Sequence, residues 1–455
     1  MKSIFKSLAG NTIIFAIGNS VSILLAFFMV PFYTKMLTPS EFGISDIITT
    51  TTAMLLPLVS LNIFSAIFRF ALDDENHSEI FTNGFIISLI GSIISISISS
   101  MLELFGLKFS FLVGLYLALS LFLSLFQNFA RGINNVKSFA LSGIVATITN
   151  IVSNLILMWV FKWGLNGYLY SLIISTTLTI LFLFLNNNLR SYIKFNKRSW
   201  ITTKELLTYS IPMIPNSFAW WLTNDANKII ILMFLGPSAN GILAVANKIP
   251  TMSSTIFGMF ANAWQMTAVS ENGKDHTKKL YTLTFNLVFG TLLVGSAIVV
   301  ILIKWFMSIY VSNQFFDAWK IVPILLLTAV FSNMSAFLGT IYLVNKKTKG
   351  LFTTTLWGTI INITLSLILI PIVGLNGAGL SGAIGFCIVS LLRLSQTKKF
   401  IDFNINYKTL LSFLIIYILI SVTTIMNVPI IPIILLCIMI ISFTLQSILL
   451  IRKEK

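Results

Sequence analysis

Apolar stretches of about twenty residues alternate with short polar segments along almost the whole chain. A helix of that length crosses the hydrocarbon core of a bilayer, whereas a transmembrane β-strand needs only about ten alternating residues. The stretches are apolar on every face, so the pattern predicts an all-α polytopic membrane protein. About 14 transmembrane helices are predicted, at residues 9–33, 44–68, 81–102, 109–130, 139–161, 166–187, 206–235, 241–268, 281–303, 320–343, 351–372, 379–395, 409–426 and 430–450.

Composition excludes a soluble protein. Of 455 residues, 56% are hydrophobic and only 10% are charged, whereas a soluble domain has roughly 25% charged residues. The net charge of +16 does not indicate nucleic-acid binding, because the Lys and Arg residues lie in short clusters between apolar runs. The first apolar run is too long for a signal peptide and has no Ala-x-Ala pattern after it, so we expect an uncleaved first span.

The distribution of basic residues predicts the orientation. With the N-terminus inside, the inner segments hold 23 Lys and Arg residues and the outer segments hold 5, while Lys228 and Lys248 lie within helices. Basic residues concentrate on the cytoplasmic side of membrane proteins. We therefore expect both termini in the cytoplasm. Four tryptophans are predicted in an aromatic belt at the outer ends of helices, namely Trp159, Trp163, Trp305 and Trp319.

An internal repeat divides the chain. Residues 37–44 and 235–242 are identical at five of eight positions, and Gly-Leu-Asn-Gly occurs at 164–167 and again at 374–377. A third pair, Asn150 to Leu157 and Asn362 to Leu369, is similar. Each match is displaced by six predicted helices, an even number, so the repeats run parallel, as in some transporters. The expected domains are a six-helix lobe at 1–190, a second at 191–400, and two additional helices with a cytoplasmic tail at 401–455.

The segment 206–216, with Trp220-Trp221 and Asn224-Asp225 after it, resembles the polysaccharide (Wzx-type) flippases of the multidrug/oligosaccharidyl-lipid/polysaccharide (MOP) exporter superfamily. Segments 316–323 and 344–349 are similar to further family segments. In this chain Lys228 stands three residues after Asp225, where the family is expected to have an adjacent cation. The resemblance covers nearly the whole chain.

This resemblance implies two six-helix lobes around a central cavity. It also implies movement of a polyprenyl-pyrophosphate-linked oligosaccharide from the inner to the outer leaflet of a bacterial cytoplasmic membrane, for polysaccharide biosynthesis. The expected partners are the lipid-linked oligosaccharide, the bilayer, a polysaccharide polymerase and glycosyltransferases.

Charged residues inside membrane spans are costly and mark functional sites by default. Asp225, Lys228 and Lys248 are the charges placed deepest in the predicted spans, at similar depth. We expect Lys248 and Lys228 to attract the pyrophosphate within the cavity. The alternative for Asp225 and Lys228 is local neutralisation, because residues three apart are neighbours on a helix.

Several polar and aromatic residues complete the predicted cavity. Trp221 could contact a glycan or pack against a neighbouring helix, and Arg69 could line the inner mouth or only set orientation. Asn19 belongs to a small-residue stripe suited to cavity lining or close helix packing. The full set of predicted substrate-cavity residues is Lys248, Lys228, Asp225, Asn216, Asn224, Trp221, Arg69 and Asn19.

No catalytic constellation, metal-binding spacing or phosphate-binding glycine loop occurs in the sequence, so an enzyme is not expected. No cofactor is expected, and coupling to protons or sodium ions is left open. A cation-coupled multidrug exporter of the same superfamily is the alternative, although its cavity should be rich in carboxylates. A membrane polysaccharide polymerase fits less well, because the repeat and the absence of a long outer loop argue against it.

Overall fold

The computed structural model describes residues 24–73, 76–197, 199–271, 273, 276–345 and 348–454. Helices occupy almost all of these residues, and no β-strand occurs among them. Twelve helices in this part of the chain are long and apolar enough to cross a membrane. The all-α transmembrane fold predicted from the sequence is therefore confirmed. Most of the predicted first helix, including Asn19, lies outside the described residues.

The chain forms two compact units, Met1–Asp225 and Ala226–Lys455, called unit 1 and unit 2 below. The helices that begin in unit 1 are α1 (Leu24–Met36), α2 (Pro39–Val59), α3 (Ile63–Asp73), α4 (His77–Leu104), α5 (Ser110–Gly132), α6 (Val136–Asn154), α7 (Gly164–Asn186), α8 (Trp200–Ser210) and α9 (Ile214–Ala246). A π-helical segment, Leu155–Val160, continues α6.

Unit 2 contains the rest of α9 and seven further helices. These are α10 (Lys248–Ser270), α11 (Thr277–Tyr310), α12 (Val322–Val344), α13 (Thr348–Val373), α14 (Leu375–Thr397), α15 (Tyr407–Ile425) and α16 (Ile431–Glu454). The predicted lobe boundaries at 190 and 400 stay predictions.

The repeated turn begins a helix in both units, but by different means. At the start of α2, Thr38 and Glu41 form a capping box, in which the Glu41 amide donates to Thr38 Oγ1 at 3.3 Å and the Thr38 amide donates to Glu41 Oε2 at 2.9 Å. At the second copy Gly236 has φ 80° and interrupts α9 before Pro237. Gly has no Cβ to oppose this conformation, so the glycine itself provides the kink between the two helical parts of α9.

Three predicted helices are interrupted in the structure, and one of them, 241–268, is divided between α9 and α10 at Asn247. Residues 44–68, predicted as one helix, form the end of α2, a turn at 60–62 and α3. Residues 206–235 are divided between α8 and α9 by a 3₁₀ turn at Ile211–Met213. Pro212 and Pro215 lack the amide proton that an α-helix requires, and the kink expected from these prolines is observed.

Each unit is packed around aromatic rings. In unit 1 Phe129 lies 4.5 Å from Phe81 and 5.1 Å from Tyr192, measured between ring centroids. In unit 2 Trp264 lies 5.0 Å from both Tyr281 and Phe337. These buried clusters hold the inner faces of the helices, and Leu, Ile and Phe side chains remain exposed on the outer faces.

The last two helices lie at the edge of unit 2. The Tyr417 hydroxyl of α15 donates to the Pro323 carbonyl at 2.7 Å, and Phe443 of α16 packs over Gly290 of α11. The prediction of an aromatic belt is wrong for Trp319, which is only 2% exposed. This ring is covered within unit 2 and lies 5.3 Å from the Lys304 ammonium in a cation–π contact.

Candidate functional site

Trp221 connects α9 to α2 within unit 1. Its indole Nε1 donates to the Thr50 carbonyl at 3.1 Å, and its ring stacks on Phe218 with centroids 5.8 Å apart. Only 9% of the residue is exposed. Of the two predicted roles, this geometry is that of packing against a neighbouring helix.

The other predicted residues of unit 1 differ in exposure. Asn216 on α9 and Arg69 on α3 are exposed, and Asp225 is half-buried at the end of the unit. The side chain of Asn224 lies outside the described part of the protein, as does all of Asn19.

Lys228 and Lys248 stand on either side of the turn at Gly236. Both are half-buried, and the Lys228 carbonyl accepts a hydrogen bond from Asn240 Nδ2 at 2.9 Å. Lys228 precedes the turn by eight residues and Lys248 follows it by twelve. At a helical rise of about 1.5 Å per residue, Lys248 lies about one helical turn further from Gly236. The expected similar depth of Asp225, Lys228 and Lys248 in the membrane stays a prediction.

A buried polar cluster ties together three helices of unit 1. Asn154 Nδ2 on α6 donates to the Tyr33 hydroxyl at 3.1 Å and to Asn150 Oδ1 at 2.9 Å. Asn150 Nδ2 donates to Ser175 Oγ on α7 at 3.4 Å. Asn154 is fully buried. A buried amide in hydrocarbon requires such partners, so α1, α6 and α7 are held at defined positions by this cluster.

Unit 2 has a corresponding cluster. Ser366 on α13 donates to Asn227 Oδ1 at 2.9 Å and shares a hydrogen bond of 2.6 Å with Ser381 on α14. Asn227 Nδ2 donates to Asn362 Oδ1 at 3.4 Å. Asn362 and Ser366 are the residues that match Asn150 and Asn154 in the repeat. The repeated polar positions could have indicated these clusters, but from the sequence they indicated only duplication.

The repeated Gly-Leu-Asn-Gly segments make the same close approach in each unit. A Cβ on Gly167 would lie 3.1 Å from the carbonyl carbon of Leu157, and one on Gly377 would lie 2.5 Å from that of Leu369. Leu157 and Leu369 are themselves matching residues of the repeat. The two helices that carry these residues therefore cross with the same close backbone contact in each unit.

The turn between α2 and α3 interrupts a predicted span with two left-handed residues that are not glycine. Leu61 has φ 51° and Asn62 has φ 53°. Asn62 is buried, its amide donates to Ser60 Oγ at 3.0 Å, and its side chain donates to Ser217 Oγ of α9 at 3.5 Å. Asn tolerates the left-handed region better than most residues. Broken helices of this kind often mark the moving or binding parts of transporters.

Arg393 of α14 is buried inside unit 2, with 5% exposure. Its Nη1 donates to the Ser335 carbonyl at 2.6 Å, its Nη2 to Thr355 Oγ1 at 2.9 Å and its Nε to Thr354 Oγ1 at 3.1 Å. These neutral acceptors lie on α12 and α13. Sequence analysis counted Arg393 only as an orienting charge, because nothing in the local sequence shows that two distant helices provide its acceptors.

No group of His, Cys, Asp and Glu residues suited to holding a metal ion occurs among the described residues. The arrangement as described is one of helix bundles held by buried polar clusters, with a few cations inside apolar spans.

The family profile of polysaccharide biosynthesis proteins matches residues 8–265, which is more than half of the chain. The chain belongs to this family. No curated protein matches the chain.

Solved structures show the fold of this polysaccharide biosynthesis protein to be that of the MOP superfamily. The lipid II flippase MurJ in an inward closed conformation superposes with a TM-score of 0.68 at 18% identity, covering 96% of this chain and 100% of MurJ. A multidrug resistance MATE family transporter in an inward-facing conformation gives 0.66 at 16% identity, covering 84% and 94%. A MOP superfamily transporter from Pyrococcus furiosus gives 0.58 at 16% identity, covering 86% and 94%. The chain is therefore an all-α, multi-pass membrane protein of the polysaccharide biosynthesis family.

Proposed function

We propose that this protein is a flippase that moves polyprenyl-pyrophosphate-linked oligosaccharide repeat units from the inner to the outer leaflet of the bacterial cytoplasmic membrane. Membership of the polysaccharide biosynthesis family supports a glycan cargo. A chain built of two compact helical units suits transport by alternating access.

The observation that carries the proposal is the pair of lysines on the two sides of Gly236. Both belong to a stretch, Asp225–Val269, that is apolar enough to span the membrane. Moving a diphosphate through hydrocarbon without a counter-charge would cost many kcal/mol, so a flippase must offer cations along the route. Lys228 and Lys248 would meet the pyrophosphate along this route. A lysine can follow a moving phosphate because its ammonium is a point charge on a flexible stem.

The first test neutralises these lysines. Lys248→Gln and Lys228→Gln should each reduce export of surface polysaccharide at least about tenfold, the equivalent of about 1.4 kcal/mol. Lys248→Arg should keep part of the activity, because it keeps the charge. The measurement is surface polysaccharide in a strain whose own gene is deleted, normalised to the amount of each variant in the membrane.

Lys108→Gln, which removes an exposed lysine, is the matched control and should export at the wild-type rate. If Lys248→Gln and Lys228→Gln also export normally, these cations are structural and the proposed route is wrong. A reconstituted assay with a fluorescent lipid-linked oligosaccharide would separate loss of flipping from loss of a partner enzyme.

The alternative, a cation-coupled multidrug exporter, shares the fold, so the superpositions do not separate the two functions. Its cationic substrates would favour carboxylates in the spans. In the spans predicted from the sequence the carboxylates are Asp46 and Asp225, beside the cations Lys228 and Lys248. If deletion of the gene raises drug sensitivity and leaves surface polysaccharide intact, the flippase proposal fails in favour of the exporter.

A further inference from the structure

An elongated groove of about 430 Å³ lies along α4 in unit 1. One wall is a stripe of α4 that includes Ile87, Ile90 and Ile94, and the other walls come from the end of α2 and from α8. At one end the groove reaches Leu61, in the turn between α2 and α3.

The groove exists because α2 ends against α4 while α3 takes a different direction. Gly91 allows this approach, since a Cβ there would lie only 2.7 Å from the Val59 carbonyl oxygen. Beyond this contact the chain turns at residues 60–62, and the space beside α4 is only partly covered by α8. This close backbone approach of α2 to α4 sets one wall of the groove.

The groove is apolar and open on a membrane-spanning helix. Ile90 is 52% exposed and Ile94 is 48% exposed. The stripe from Asn83 to Ile94 covers about 16 Å of helix, which is close to the half-thickness of a hydrocarbon core of about 30 Å. On a membrane protein such a surface is covered by lipid chains, and this one has the depth of a single leaflet.

The end of the groove at α8 is polar. Thr203 Oγ1 donates to Asn83 Oδ1 at 3.0 Å, and Asn83 Nδ2 donates to the Glu79 carbonyl at 2.9 Å. Trp200, beside them on α8, is 71% exposed. Exposed tryptophans of this kind are typical of the level of the lipid headgroups, so the groove combines an apolar trough with an interfacial end.

Two lysines adjoin residues of this polar end, one through a backbone hydrogen bond and one in sequence. The Lys194 amide donates to Thr82 Oγ1 at 3.0 Å, which fixes Lys194 beside α4, and Lys204 follows Thr203 on α8. Both lysine side chains are exposed. Of the carboxylates nearby, Glu79 is hydrogen-bonded to the Thr202 hydroxyl, and Glu205 points about 100° away from Lys204 around α8.

We propose that this groove binds one acyl chain of an anionic phospholipid, with the lipid phosphate held by Lys194 and Lys204. Basic residues beside apolar grooves recognise anionic headgroups in this way. The bound chain touches Leu61, and so this lipid stabilises the turn between α2 and α3. The proposal uses none of the residues assigned to the route of the lipid-linked cargo and does not depend on that route.

The test compares two phospholipids that have the same acyl chains. Native mass spectrometry of the purified full chain should show one phosphatidylglycerol retained with at least about tenfold preference over phosphatidylcholine, as two lysines near a headgroup would give. Equal retention of the two lipids would overturn the proposal.

Matched variants test the two halves of the site. Ile94→Trp fills the groove and should abolish retention of the lipid, whereas Ile93→Trp, at an exposed neighbouring position outside the groove, should leave retention unchanged. Lys194→Gln combined with Lys204→Gln should remove the preference for phosphatidylglycerol, and Lys408→Gln, at another exposed lysine, should not. Retention of the lipid by a well-folded Ile94→Trp protein would place the lipid elsewhere.

A competition experiment distinguishes a phospholipid of the bilayer from the cargo lipid as the occupant of the groove. A long-chain polyprenyl phosphate at equimolar concentration should leave the bound phosphatidylglycerol in place. Its displacement would show that the groove serves the cargo lipid and would overturn the assignment to a phospholipid of the bilayer.

Discussion

A guanidinium buried among membrane-spanning helices needs an acceptor for each of its donors, because unmet donors in hydrocarbon cost several kcal/mol. Arg393 meets this requirement with hydroxyl and carbonyl oxygens of α12 and α13. Its planar fork fixes the angle between the three helices, which a flexible ammonium could not do as well. We interpret Arg393 as the residue that locks α12, α13 and α14 into one body.

Replacing Arg393 should therefore weaken unit 2. Arg393→Met leaves the hydroxyls of Thr354 and Thr355 without their donor, and we expect a loss of about 2–3 kcal/mol of stability. In thermal unfolding of the detergent-solubilised protein, this corresponds to a fall of about 5 °C in the apparent Tm. Arg393→Lys should fall between the wild type and Arg393→Met.

The comparison variant is Arg190→Gln, which removes an exposed arginine and should leave the apparent Tm within about 1 °C of the wild type. An unchanged Tm in Arg393→Met would show that the buried hydrogen bonds contribute nothing to the packing of unit 2.

At the scale of the elements, glycines set how closely helices cross. Gly377 and Gly167 occupy matching positions, but the space beside them differs. A Cβ added at Gly377 would lie 2.5 Å from the Leu369 carbonyl carbon, and one added at Gly167 would lie 3.1 Å from the Leu157 carbonyl carbon. Gly258 on α10 has no atom within 4 Å of such a Cβ. Substitution by alanine should therefore meet decreasing steric conflict in the order Gly377, Gly167 and Gly258.

Gly377→Ala should destabilise the protein by about 1–3 kcal/mol because of overpacking, and Gly167→Ala should have a smaller effect. Gly258→Ala should be neutral or stabilising by up to about 1 kcal/mol, since Ala is the better helix former. Apparent Tm and the yield of folded protein measure all three. The opposite order would show that backbone contact at these crossings does not limit stability.

The elements also show what sequence could and could not predict. The apolar runs located nearly every helix, and Pro212 and Pro215 located the kink before α9, because hydrophobicity and proline act locally. The break at Leu61 and Asn62 was missed because it depends on Ser60 and on Ser217 of α9, which is distant in sequence. The partners of Arg393 and the burial of Trp319 were missed for the same reason.

At the scale of the molecule, each unit is compact and carries its own polar cluster and its own glycine crossing. The cavity predicted from Lys228, Lys248, Asp225, Asn216, Asn224, Trp221, Arg69 and Asn19 stays a prediction as a set. Trp221 is the member whose contacts assign it to packing within unit 1.

The orientation of the whole chain follows from the excess of basic residues predicted on one side. In a background with Cys387→Ser and Cys437→Ser, Gln314→Cys should react with a membrane-impermeant maleimide in intact cells. Lys194→Cys should react only after the cells are permeabilised. Both positions are exposed, so a difference in labelling reports the side of the membrane rather than burial, and the reverse pattern would invert the predicted topology.

The buried position of Arg393 also has a consequence for the order of biogenesis. Every acceptor of its guanidinium named above belongs to a residue that precedes it in the chain, at positions 335, 354 and 355. Because the ribosome synthesises the chain from the N-terminus, α12 and α13 are already in the membrane when α14 emerges. An arginine that enters lipid without hydrogen-bond partners is costly. Here the acceptors on α12 and α13 are already in place. The arginine can thus move directly from water into a prepared site, and its arrival completes the packing of α12, α13 and α14 before α15 and α16 are added.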